Sequence, residues 1–167
     1  MSLVELGWRR FNFFDRHLVQ DPDNPTQAFL GLQDLECVCS CSSESLVLLG
    51  ESTGGICQVT KGWQVDFWKA YKVSLASMAY EESHSVLVTV GEDEEGVNPL
   101  LKVWNLARFE KGSPFCSRIL RVSPGHNRPV PATAVALHSS LRFLAVGFQD
   151  SSVVVYRGAD LTKEKWV

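Results

Sequence analysis

Four consecutive carboxylates, Glu92-Asp93-Glu94-Glu95, form the densest charge in the sequence and the first candidate for chemistry. Calcium takes six to eight oxygens from a loop that curls around it, usually as Asp-x-Asp-x-Asp-Gly with a distant Glu. Consecutive acids point their side chains apart, and no second acidic cluster lies nearby in the chain. The spacing predicts a solvated hairpin tip joining two strands, open to protein contact because exposed charges set partner choice. Cys37, Cys39 and Cys41 recur at period two, which places three thiols on one face of a strand. Zinc sites draw on closely spaced Cys in a turn with a second pair elsewhere, whereas Cys57 and Cys116 are single and His17, His84, His126 and His138 are scattered. Buried free thiols acting as small hydrophobes are expected.

Nucleophilic and phosphate chemistry find no foothold. The chain has no Gly-x-Ser-x-Gly elbow and no Gly-x₄-Gly-Lys-Ser/Thr cradle; Gly54-Gly55 reads as a tight strand connection. Arg9-Arg10 lie among Trp8, Phe11, Phe13 and Phe14, an interleaving that nucleic-acid surfaces use, but two arginines are too few. A structural amino-terminal strand suits these aromatics better. The expectation is a protein that is not an enzyme, with no catalytic residues, no cofactor, no metal, no nucleic acid and no small-molecule substrate.

The 167 residues suit one ordinary domain, and 45% hydrophobic with 21% charged residues is close to the globular average. A formal net charge of −3 gives no general attraction to nucleic acid or an anionic bilayer. No apolar run approaches the roughly 20 residues of a membrane span, the amino terminus lacks a secretory pattern, and five Cys without framework spacing suit a reducing compartment. A cytoplasmic protein is expected.

The elements that must position these residues show themselves through repetition. Leu46–Gly50, Leu87–Gly91 and Phe143–Gly147 carry one phrase: a run of apolar residues, with a single Thr, ending in glycine. Alternating apolar stretches precede them at Leu35–Cys41, Leu75–Tyr80 and Thr133–His138, and β-branched or aromatic runs follow at Gly55–Thr60, Leu100–Leu106 and Ser152–Tyr156. Gly50 and Gly91 lie 41 residues apart and Gly91 and Gly147 lie 56 apart, the excess falling in Glu110–Pro131. Such a period with several short strands per unit marks propeller blades. The nearly unbroken apolar phrase predicts strands buried on both faces, and Gly50, Gly91 and Gly147 let the chain turn or approach a neighbour closely. Trp104 and Tyr156 end the third strands and fill the gap between sheets. Phe67–Val73 and Ser117–Val122 are the candidates for fourth strands, Asp21–Pro25 reads as a turn, and Ala159–Val167 as a tail with one helical turn capped by Asp160 or Thr162.

The fold class is therefore all-β, a partial WD-repeat-like β-propeller of about three blades of antiparallel strands. An amino-terminal strand and loop occupy 1–34, and the blades occupy 35–74, 75–130 and 131–167, the last incomplete. Propellers close with typically four to eight blades, so three leave two sheet faces open and suggest part of a larger protein.

Two strings carry a family resemblance: Trp8-Arg9-Arg10-Phe11-Asn12-Phe13-Phe14-Asp15, and the long stretch Val90–Leu106 containing Gly91-Glu92-Asp93-Glu94-Glu95-Gly96-Val97-Asn98-Pro99. With Tyr71-Lys72 and Leu144–Phe148, they resemble the family of vacuolar protein sorting-associated protein eleven, core subunits of the HOPS and CORVET tethering complexes. The similarity weakens in Gln20–Gln33 and after Gly158. The resemblance implies the amino-terminal part of a β-propeller that, in the family, precedes an α-solenoid and a zinc-binding RING; neither lies in this sequence, so solenoid contacts and RING-linked ubiquitin ligation do not carry over. It further implies a scaffold in endosome-to-lysosome or vacuole transport and membrane fusion. Its partners would be the other HOPS and CORVET core subunits, and its membrane association indirect, at late endosomes and lysosomes. A generic WD-repeat-like adaptor, presenting substrates to a ubiquitin ligase for example, is the rival reading.

Overall fold

The computed structural model describes residues 34–157 continuously, together with Gln20, Asp21, Asp23, Asn24, Thr26, Gln27, Leu32 and the backbone of 162–164. Residues 1–33 and 34–167 form separate compact units. In the first, the Asn24 N–H donates to the Asp21 carbonyl at 3.2 Å, and the Asp23 N–H to the Asp21 carboxylate at 2.9 Å, making a polar turn. Trp8, Phe11 and Phe13, with the strand expected around them, lie outside the described residues.

Among the described residues of the second unit, twelve strands form three four-stranded antiparallel sheets, each a simple meander. The first holds β1 (Cys37–Ser42), β2 (Leu46–Glu51), β3 (Gly55–Thr60) and β4 (Val65–Lys69). The second holds β5 (Ser74–Glu81), β6 (Val86–Glu92), β7 (Leu100–Glu110) and β8 (Ser113–Arg121). The third holds β9 (Ala132–Leu137), β10 (Phe143–Phe148), β11 (Val153–Arg157) and β12 (Thr162–Glu164). Fourth strands thus begin earlier than expected: β4 ends at Lys69, before Ala70-Tyr71-Lys72 leave the sheet, and β8 starts at Ser113 because the β7–β8 hairpin turns at Lys111-Gly112. The expected helical turn at the tail is instead strand β12 over Thr162–Glu164, paired with β11.

Two apolar clusters hold the sheets face to face. Leu48, Ile56 and Trp68 of the first sheet meet Leu75, Met78, Leu87 and Trp104 of the second. Val88, Val90 and Leu101 on the opposite face of the second sheet meet Leu144, Val146, Phe148, Val154 and Tyr156 of the third. The middle sheet is covered twice, so β6 is buried at Leu87 through Gly91 without alternation. In β10 buried and less buried residues alternate, and β2 follows the same trend. Burial on both faces, expected for all three phrases, holds only for β6, because the other two strands lie in end sheets with one neighbouring sheet each.

A bulge interrupts the pairing of first and second strands at one place in every sheet. Val38, Ala76 and Thr133 are the extra residues, opposite Gly50/Glu51, Val90/Gly91 and Gly147/Phe148. Aligned on that bulge, Gly50 and Gly147 are equivalent, and Gly91 falls one residue later, at the place of Glu51 and Phe148. The three glycines are not one structural position. A Cβ at Gly91 would strike the Ser74 carbonyl oxygen and come within 2.8 Å of the Tyr71 ring, whereas at Gly147 it would meet the Ala134 Cβ at an ordinary 3.5 Å. The third-strand aromatics are in phase: Trp104 pairs with Leu87 and Tyr156 with Leu144, so each projects toward the preceding sheet.

Candidate functional site

The acidic loop and the end of the phrase converge on one buried polar cluster in the middle sheet. Thr89 interrupts an apolar strand and is fully buried. Its hydroxyl accepts the Trp104 indole N–H at 3.0 Å and lies 2.9 Å from the Tyr71 hydroxyl, which also donates to the Leu100 carbonyl at 3.1 Å. Tyr71 is 1% exposed. Burial raises its phenol far above the usual range, an effect that the hydrogen bond to Thr89 only partly offsets, so the group stays protonated at neutral pH. Lys102, next but one before Trp104 and on the same face, places its Nζ 4.3 Å from the centre of the Tyr71 ring, a cation–π geometry. That ammonium donates to the Ala70 carbonyl at 2.7 Å and to Asp93 Oδ2 at 2.8 Å.

Asp93 is thus not a solvated tip residue. Its other carboxylate oxygen accepts the Lys72 N–H at 2.9 Å, so one side chain ties the β6–β7 connection to the segment entering the sheet. Burial pushes its carboxyl up, but the bonds from Lys102 and Lys72 and their charges prevail and hold it below the usual carboxylate range. Glu92 ends β6, and Glu94 and Glu95 are exposed beside it, as a hairpin tip requires. Every polar member of this cluster is satisfied by its neighbours, which suits a clamp better than a reactive centre.

Other candidates are dispersed. Cys57 is buried, Cys39, Cys41 and Cys116 are half-buried, and Cys37 is exposed, so burial of all the thiols holds for one of five. The bulge at Val38 breaks the period that would have kept Cys37 in line with the other two. Burial, with a smaller contribution from neighbouring thiols, raises Cys39 to about 11 and Cys41 to about 12, which keeps both as thiols. His84 bonds Glu81 at 2.6 Å, where bonds from Ser83 and His84 lower the carboxyl to about 2, and His126 bonds Asp150 at 2.9 Å. Among the described residues no three His, Cys, Asp or Glu are placed to share a metal ion, and no helix is long and apolar enough to cross a membrane.

Sequence reasoning missed Tyr71 and Lys102 as partners of the acidic loop. The available signals were Thr89 and Lys102 themselves, two polar residues in otherwise apolar strands.

Three stacked antiparallel meanders with a repeating bulge, two of them with a third-strand aromatic, define a partial β-propeller. One solved structure, titled "Structure of U3-55K", shares the fold with a TM-score of 0.60 over 80% of this chain and 39% of that one, at 12% identity. A family model described as PEP5/VPS11 N-terminal matches residues 8–166, and the chain belongs to that family. It is 46% identical over 157 residues to a vacuolar protein sorting-associated protein 11 homolog of Caenorhabditis elegans, covering 93% of this chain and 16% of the relative. The human homolog is 36% identical over 174 residues, covering 96% and 18%, and the Dictyostelium discoideum homolog 27% over 160 residues, covering 95% and 16%. The chain therefore spans less than a fifth of the length of these relatives.

Proposed function

We propose that the chain is a non-enzymatic interaction module in vacuolar protein sorting, contributing a rigid partial propeller to a multi-subunit vesicle-tethering complex. What supports this reading is kinship along nearly the whole chain to proteins named for vacuolar sorting, carried on a frame whose central polar cluster around Thr89, Tyr71 and Lys102 is satisfied internally. Mechanism on this reading is geometric. Loops between strands contact other subunits, the HOPS and CORVET core subunits in particular, and the assembly bridges two membranes so that fusion proteins can engage. On this reading Glu94 and Glu95, exposed beside Asp93, meet a basic partner surface. Membrane contact at late endosomes and lysosomes is indirect, through the complex. Co-expression of the tagged 167-residue chain with the core tethering subunits tests the proposal. Capture of at least one subunit at constant stoichiometry is expected, and recovery of the chain alone would overturn it.

A further inference from the structure

Between the second and third sheets lies a cleft of about 130 Å³, lined by Val86, Val88, Val103, Leu137, Leu141, Leu144, Ser117 and Arg118. Between the first two sheets Trp68 packs edge-on against Trp104, ring centres 6.3 Å apart, and the row matching Val88, Val103 and Arg118 is Leu48, Gln58 and Asp66. We propose that this cleft docks a partner polypeptide that inserts one bulky apolar side chain and sets a neighbouring carboxylate on Arg118. This deepens the scaffold reading by giving it a surface.

Three observations carry the assignment. First, the volume is close to that of an apolar cavity of about 150 Å³ that takes up benzene, enough for a single aromatic or branched side chain. Second, Arg118 is exposed at the wall, cross-strand from Val103 in the row that also holds Val88, and its guanidinium has no hydrogen bond or ion pair among the described residues. Facing six aliphatic side chains, a cation whose planar fork suits a carboxylate selects an acidic neighbour for the apolar anchor. Third, Arg118 and Ser117 belong to β8, the last strand of its sheet, whose outer backbone edge has no strand partner among the described residues and is available to an extended peptide. Leu141 adds a local cost, holding a bulky side chain at the cleft with φ of 57°, a backbone region that such residues rarely adopt.

Methyl-selective NMR on the labelled 167-residue chain, titrated with acetyl-Glu-Phe-amide, tests the site. Saturable shifts are expected at the methyls of Val86, Val88, Val103, Leu137, Leu141 and Leu144. Acetyl-Gln-Phe-amide should bind at least about fivefold more weakly, about 1 kcal/mol. R118Q should bring the Glu peptide to the level of the Gln peptide, and R121Q, whose parent side chain bonds the Asn98 carbonyl instead, should change nothing. Absence of saturable shifts at about 10 mM peptide, equal binding of the two peptides, or tighter binding of octanoate would each overturn the proposal. The probe contains no tethering subunit, so failure here leaves the co-expression result to stand or fall by itself.

Discussion

Asp93 and Lys102 make the pair on which the middle sheet's geometry turns, at side-chain exposures of 22% and 9%. Removing one partner of a buried pair costs about 3–5 kcal/mol, and the partial exposure of Asp93 reduces that, so D93N should lower stability by about 2–3 kcal/mol in urea unfolding. Because the carboxyl lies below its ordinary value in the folded chain, its contribution is present above the unfolded value of about 3.9 and is lost as pH falls through the folded one. The stability gap between the parent chain and D93N should hold from about pH 7 to 5 and close below about pH 4. Trp104 and Trp68 offer a second comparison. Trp104 donates to Thr89, whereas the buried Trp68 indole nitrogen has no hydrogen-bond partner among the described residues. W104F should therefore cost about 1 kcal/mol more than W68F, since only the former loses a hydrogen bond beyond ring volume. Little of this cluster was legible in the sequence. Tyr71 lies 18 residues from Thr89 and 31 from Lys102; the β6–β7 register pairs Thr89 with Lys102, and the segment between β4 and β5 brings Tyr71 to them, while a run of four acids hid the one member that turns inward.

At the scale of elements, strand positions were largely legible because each strand announces itself through β-branched and aromatic runs bounded by polar turns. Register was not. The residues inserted at the repeated bulge, Val38, Ala76 and Thr133, share no side-chain type that would flag them, and the glycine phrase disguises a one-residue offset. The packing around Gly91 and Gly147 is testable with single methyl groups. G91A drives a Cβ into the Ser74 carbonyl and the Tyr71 ring and should cost about 1–3 kcal/mol through overpacking. G147A makes two ordinary contacts, with the Ala134 Cβ and the Thr133 hydroxyl, and should stay within about 0.5 kcal/mol. Equal penalties would mean that Gly91 is not crowded against Ser74 and Tyr71 as described.

For the whole compact unit, the count of sheets follows from the period of the repeat, and what each sheet faces follows from its place in the stack. The third sheet turns Leu144, Val146 and Tyr156 to its neighbour and leaves Phe143 and Val153 at 42% and 56% exposure on the other side. An apolar face of that kind should bind a solvatochromic dye, and the double substitution of Phe143→Ser with Val153→Ser should lower the signal while changing stability by about 1 kcal/mol or less. The rigid frame invoked for tethering rests on a middle sheet clamped from both sides, and hydrogen exchange measured peptide by peptide on the 167-residue chain tests that most directly. Amides in 86–92 and 100–106 should hold protection longest, and those in 37–42 and 153–157 should exchange first. If β6 exchanges as fast as the strands of the end sheets, the sheets do not stack as described and the rigid frame is lost.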